Sequence, residues 1–113
     1  MTAMDELEAL RAQADGVETA AFVDHASGTV LCAAAAMDPP QERLDAFCAH
    51  AAELLETAAG GAEMAIRLTA VETLLIFRTP GRAEEALCVV AAPGADIAAL
   101  EVAGRATAAA LAR

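Results

Sequence analysis

Hydrophobic positions recur at two different spacings along this chain, and the changes of spacing divide it into helices and strands. Thr2 can cap a first helix, with Asp5 three residues later in capping-box spacing. Met4, Leu7, Leu10 and Ala14 then form one apolar stripe, while Asp5, Glu8 and Arg11 face away. Gly16, after Asp15, is expected to stop this helix. Thr19 to Asp24 reads as a strand with Phe22 and Val23 on opposite faces, and Asp24-His25-Ala26-Ser27-Gly28 is a turn of hairpin length. Thr29 to Ala34 is the returning strand. Asp38 is placed to cap a second helix, with Pro39 at its first position and Gln41 at the capping-box site. Leu44, Phe47, Cys48, Ala51, Leu54, Leu55 and Ala58 form its apolar face at i, i+3, i+4 spacing, and Gly60-Gly61 ends it.

Three strands follow. Glu63 to Leu68 alternates, with Met64, Ile66 and Leu68 on one face and Glu63 and Arg67 on the other. Thr73 to Arg78 and Ala86 to Ala92 are apolar on both faces, as interior strands are, with Pro80 to Glu85 a polar hairpin loop between them. Asp96 caps a last helix that turns Ile97, Leu100, Gly104, Ala108 and Leu111 inward, and Glu101 and Arg105 form an outer i, i+4 pair. The order αββαβββα predicts an α+β fold: a five-stranded, mainly antiparallel sheet. Strands that are apolar on both sides need cover on both sides, so helices are expected on both faces. The polar alternation of the third strand marks it as an edge, with backbone groups available to another chain.

Composition narrows the function. The 113 residues are expected to form one domain, 1–113, without linker or repeat. Close to a third of them are alanine, and only Phe22, Phe47 and Phe77 are aromatic, so the core depends on close backbone approach more than on bulky side chains. Net charge is −10, and all seven cations are arginine. Nucleic acid and anionic membrane surfaces are therefore disfavoured, and a partner with a basic patch is favoured. No signal peptide, lipidation signal or apolar run near 18 residues is present, so no membrane insertion and a cytoplasmic location are expected. Cys32, Cys48 and Cys88 are widely spaced in apolar stretches and read as buried thiols, with no metal site.

Catalytic chemistry is weakly supported. Asp24, His25 and Ser27 carry the right side chains for a triad, but so close together in a turn they lack an orienting group and an oxyanion site. A solvated turn is expected there. His50 and Cys48 lie about 200° apart around a helix, which disfavours a dyad, and His50 is instead a candidate dimer contact. Pro80-Gly81-Arg82 and Pro93-Gly94-Ala95 are turns without the glycine spacing of a phosphate loop. Arg82 and Glu84-Glu85 are expected to be solvated. No enzyme activity and no cofactor are expected.

The order of elements, the Gly16-Val17 start of the first strand and the Val23-Asp24…Gly28 hairpin resemble the Roadblock/LC7 family. The closing strand Leu87-Cys88-Val89-Val90-Ala91-Ala92, followed by Pro93 to Asp96 and an alanine-rich helix, adds to the likeness. The resemblance spans roughly Met4 to Leu111. It implies a non-catalytic dimer in which third strands pair across a two-fold axis beside packed second helices. It also implies a regulator or scaffold for a Ras-like small GTPase. On this chain the homodimer, or heterodimer with a related domain, would use Glu63, Met64, Ala65, Ile66, Arg67 and Leu68, with Asp45, Ala46, Ala49, His50, Ala52, Glu53 and Glu56 of the second helix. That helix is unusually acidic and alanine-rich for the family. The alternative is a small-ligand sensor of PAS or profilin-like type, which would carry a pocket under its helices.

Overall fold

A computed structural model describes residues 1–56 and 63–113. The elements are α1 (Ala3–Gln13), β1 (Val17–Asp24), β2 (Thr29–Ala35), α2 (Gln41–Glu56), β3 (Met64–Leu68), β4 (Thr73–Arg78), β5 (Glu85–Ala91) and α3 (Ile97–Leu111). One sheet holds all five strands in the order β2-β1-β5-β4-β3, and every neighbouring pair is antiparallel. The predicted α+β architecture with helices on both faces is the observed one.

The helix ends follow local chemistry. The Thr2 hydroxyl accepts from the Asp5 amide at 3.1 Å, and the Asp5 carboxylate accepts from the Thr2 amide at 2.9 Å, completing the capping box. Those bonds from Thr2 hold the Asp5 carboxyl below its usual range. The helix ends at Gln13 with Ala14 as its cap, earlier than the glycine stop predicts. Gly16, at φ +83°, instead turns the chain into β1. In α3 the Asp96 carboxylate accepts from the Ala99 amide, as its spacing predicts.

The start of α2 departs from expectation. It opens at Gln41 rather than at Pro39, so Asp38 is not its cap, and Gln41 Nε2 donates instead to Asp45 Oδ1 at 2.9 Å. The cause is the residue after Pro39: a second proline disfavours helical geometry at the position before it. Ala58 and Gly60-Gly61, read as the end of this helix, lie outside the described residues.

Alternation along the strands sends the core to two sides. Phe22, Leu75, Phe77, Leu87 and Val89 face α1 and α3, where Leu7, Leu10, Leu100 and Leu111 meet them. Val23, Leu74, Ile76 and Val90 face α2, where Phe47, Cys48, Ala51 and Leu55 meet them. With so few large side chains, contact depends on close approach. Gly104 of α3 lies directly over the ring of Phe77, itself only 2% exposed. β4 and β5 are buried on both faces, as their sequences predict.

Candidate functional site

β3 is five residues long and pairs only with β4 among the described residues, so its outer edge is open. Met64, Ile66 and Leu68 lie across from Phe77, Leu75 and Thr73, placing them on the α1/α3 side of the sheet. Neither helix reaches far enough to cover them all: Met64 is half-buried, Ile66 38% exposed and Leu68 64% exposed. A five-residue strand therefore carries an apolar row that grows wetter towards its end, beside an edge that is unpaired among the described residues. Ala65 and Arg67 face α2. Glu63 lies just before the strand and is exposed, its carbonyl accepting from the Arg78 amide at 2.8 Å.

Helix α2 runs over the other face. With its buried stripe centred on Ala51, a rotation of about 100° per residue sets Glu42, Ala49 and Glu53 opposite the sheet. Ala46 and His50 fall on the flank towards β3. Asp45 and Ala52 fall on the other flank. Glu56, at the end of the helix, pairs with Arg78 at 3.4 Å. The fold thus brings His50 against Arg67 of β3, with Ala46 on the same flank, while Ala49 and Glu53 lie on the outer side of α2 and Asp45 and Ala52 on the far flank.

Two arginines tie α2 to the β3 side. Arg43 stacks 5.6 Å from the Phe47 ring centre and meets the Glu72 carboxylate at 2.7 Å. Arg67 Nη1 lies 3.2 Å from His50 Nδ1. A guanidinium can only donate, so Nδ1 of His50 is the acceptor in this contact.

The turn at Asp24 is not merely solvated. His25 is half-buried, and its Nε2 donates to the Ala83 carbonyl at 3.0 Å, tying the first hairpin to the β4–β5 loop. Asp24 Oδ1 accepts from the amides of Ala26 and Ser27, and Ser27 Oγ bonds to Thr29 Oγ1. All three side chains serve the turn, which leaves no relay among them. Glu85 also departs from expectation: it begins β5, half-buried, with one carboxylate oxygen 3.4 Å from Arg82 and the other buried without a partner among the described residues. Arg82 and Glu84 are exposed as expected.

Cys48 and Cys88 are buried and Cys32 is half-buried. Burial pushes all three thiols up, Cys88 far above the range where a thiolate forms near neutrality. In the folded protein at about pH 8 we expect Ellman's reagent to label Cys32 slowly and Cys48 and Cys88 only at the rate of unfolding. Fast release of three thiols would contradict the burial. Among the described residues no group of three or more His, Cys, Asp or Glu could hold a metal ion, and no helix is long and apolar enough to cross a membrane.

Among the described residues, two of the cavities lie at the ends of elements. One of about 410 Å³ opens between the β4–β5 loop and α3. The other, of about 430 Å³, opens where α1 ends and α3 begins. Sequence reasoning foresaw neither. The first gathers residues from β4, a loop and α3 that share no local pattern. The available signal was three arginines in a chain with only seven cations.

No family model matches the sequence, and no curated protein matches it. Solved structures do match in shape. An MglB described as having a tetrameric arrangement aligns at TM-score 0.81 and 20% identity, over 98% of this chain and 85% of that one. The gliding protein MglB from Thermus thermophilus aligns at 0.81 and 19%, over 98% and 86%. A Roadblock/LC7 domain from Streptomyces avermitilis aligns at 0.78 and 17%, over 94% and 91%. The chain has the Roadblock/LC7 fold, as the order of its elements and its first hairpin imply.

Proposed function

We propose that this chain is a non-catalytic adaptor of Roadblock/LC7 type, which pairs through β3 with a second copy or a related domain. The pair binds a Ras-like small GTPase in the cytoplasm and modulates its nucleotide cycle or its location. The observation that carries the reading is the edge of β3, open among the described residues, with Ile66 and Leu68 exposed on one face of the sheet and α2, with its small residues Ala46 and Ala49, over the other. Unpaired strand backbone is a template for another strand. Small residues on the adjoining helix let a second helix come close, and they add area to a strand that is too short alone for the roughly 800 Å² per partner of a standard interface. The tetrameric arrangement of a structurally similar MglB supports self-association as a property of this fold.

Ala46, Ala49, His50 and Glu53 with Met64 to Leu68 form the centre of this seam, and Glu63 lies at its end. Asp45, Ala52 and Glu56 lie at its margin. Glu42, Glu53 and Glu56 also leave the outer face of α2 acidic, which steers a partner carrying a basic patch.

In the adaptor reading the GTPase performs the chemistry. This chain shifts the GTPase's balance only if it binds the two nucleotide states unequally. The test is capture from host lysate with the full chain as bait, in parallel with excess GDP and with a non-hydrolysable GTP analogue. A Ras-like GTPase recovered in one state is the expected result. Equal recovery in both states would reduce the role to a scaffold. Recovery in neither would sink the GTPase partnership.

A further inference from the structure

Three of the seven arginines in this acidic chain line one cavity of about 410 Å³. Arg78 comes from β4, Arg82 from the β4–β5 loop and Arg105 from α3, so tertiary structure gathers three guanidinium groups, each with a carboxylate within 3.5 Å. Glu63 is the single carboxylate among the described lining residues. The volume suits a small ligand. Phe77, Pro80 and Ala108 supply an apolar wall.

The arginines divide into two roles. Arg78 holds the walls: Nη1 donates to the Ala83 carbonyl at 2.6 Å, and Nη2 reaches the Leu55 carbonyl and Glu56. Arg82 and Arg105 are about half exposed, and each meets one carboxylate at long range, Glu85 at 3.4 Å and Glu101 at 3.5 Å. The Arg105–Glu101 pair is exposed on both sides and so binds weakly, whereas the Glu85 side chain is only 13% exposed. A guanidinium carries five N–H donors, so both side chains keep capacity for a second acceptor. Thr79, also lining the cavity, is 1% exposed, and its buried hydroxyl has no hydrogen-bond partner among the described residues. A buried hydroxyl is costly to leave unsatisfied, and its orphaned state marks a place where a partner belongs.

The geometry points to an anion-binding site for a small organic oxyanion, a phosphate or carboxylate on an apolar body, held by Arg82 and Arg105 with the Thr79 hydroxyl as a further donor. This role goes beyond the adaptor reading and does not depend on it. The site shares no side chain with the Ile66–Leu68 row.

The test is a titration of the ¹⁵N-labelled full chain with phenyl phosphate, benzoate and inorganic phosphate at constant ionic strength, followed by NMR. We expect saturable shifts at the amides of Thr79 and Gly81 to Ala83 and at Arg105, with an aromatic anion bound more tightly than inorganic phosphate. Response to phenyl phosphate alone identifies a phosphate ester, and response to benzoate a carboxylate. The R82Q/R105Q double variant should fold but melt a few degrees below the wild type, because glutamine at position 82 leaves the largely buried Glu85 carboxylate without its cation, and should lose about tenfold or more in affinity when both proteins are compared well below melting. Thr79→Val should lose severalfold. Absence of saturable shifts with all three probes overturns the site, as does unchanged binding in R82Q/R105Q.

Discussion

An Ile66→Asp protein should sediment as a monomer at micromolar concentration, where the wild type is expected to sediment as a dimer. Ile66 is 38% exposed in the single chain, so a carboxylate there stays hydrated and the subunit keeps its fold. In a two-fold pairing of β3 strands the same position is buried against the partner. Each carboxylate must then be desolvated without a cation facing it. Loss of a central interface residue costs about 2 kcal/mol or more. Two-fold symmetry applies it twice, for a total of about 4 kcal/mol, or roughly a thousandfold in dissociation constant. Val102→Asp is the control, because Val102 is 71% exposed on α3 and lies outside the proposed seam. A wild type that stays monomeric removes the dimer from the adaptor reading. A persistent dimer in Ile66→Asp moves the seam away from β3.

The second large effect lies in the core. Gly104→Ala is expected to lower stability by about 2 kcal/mol, although alanine is by itself about 1 kcal/mol better than glycine inside a helix. A Cβ at Gly104 would lie 3.0 Å from Cε1 of Phe77 and closer still to Cε2 and Cζ. The ring has nowhere to go, being 2% exposed between α3 and the sheet. At roughly 4 °C per kcal/mol for a domain of this size, the melting temperature should fall by about 8 °C. Combining Gly104→Ala with Phe77→Leu relieves the clash, so the double variant should be more stable than the two separate losses predict, by about 1 kcal/mol. A Gly104→Ala protein that melts with the wild type would show that α3 can lift from β4 without cost.

Both experiments test features that the sequence states in different degrees. Gly104 appears in the sequence as one more small residue on the inward face of the last helix. That Phe77 is the side chain beneath it depends on how α3 crosses β4. The edge character of β3 is stated directly, since Glu63 and Arg67 interrupt its apolar positions while β4 and β5 have few such interruptions. The resemblance to Roadblock/LC7 domains rested on the same element order and was confirmed at the level of fold.

The sequence alone determined what neighbours along the chain decide: the capping box of Thr2 and Asp5, the Asp96 cap, the alternation of β3 and the double-sided burial of β4 and β5. These depend on periods of about 2 and 3.6 residues and on bonds spanning three positions. The start of α2 was also written there, in the Pro39-Pro40 pair, although the cap signal at Asp38 outweighed it. Only the tertiary structure decided the strand order β2-β1-β5-β4-β3, the bond from His25 to Ala83 across 58 positions, the burial of Glu85, and the meeting of Arg78, Arg82 and Arg105 around one cavity. Local periodicity says which face of an element is buried. Which elements share that burial follows from how the whole chain packs its apolar surface, and no short window of sequence contains that choice.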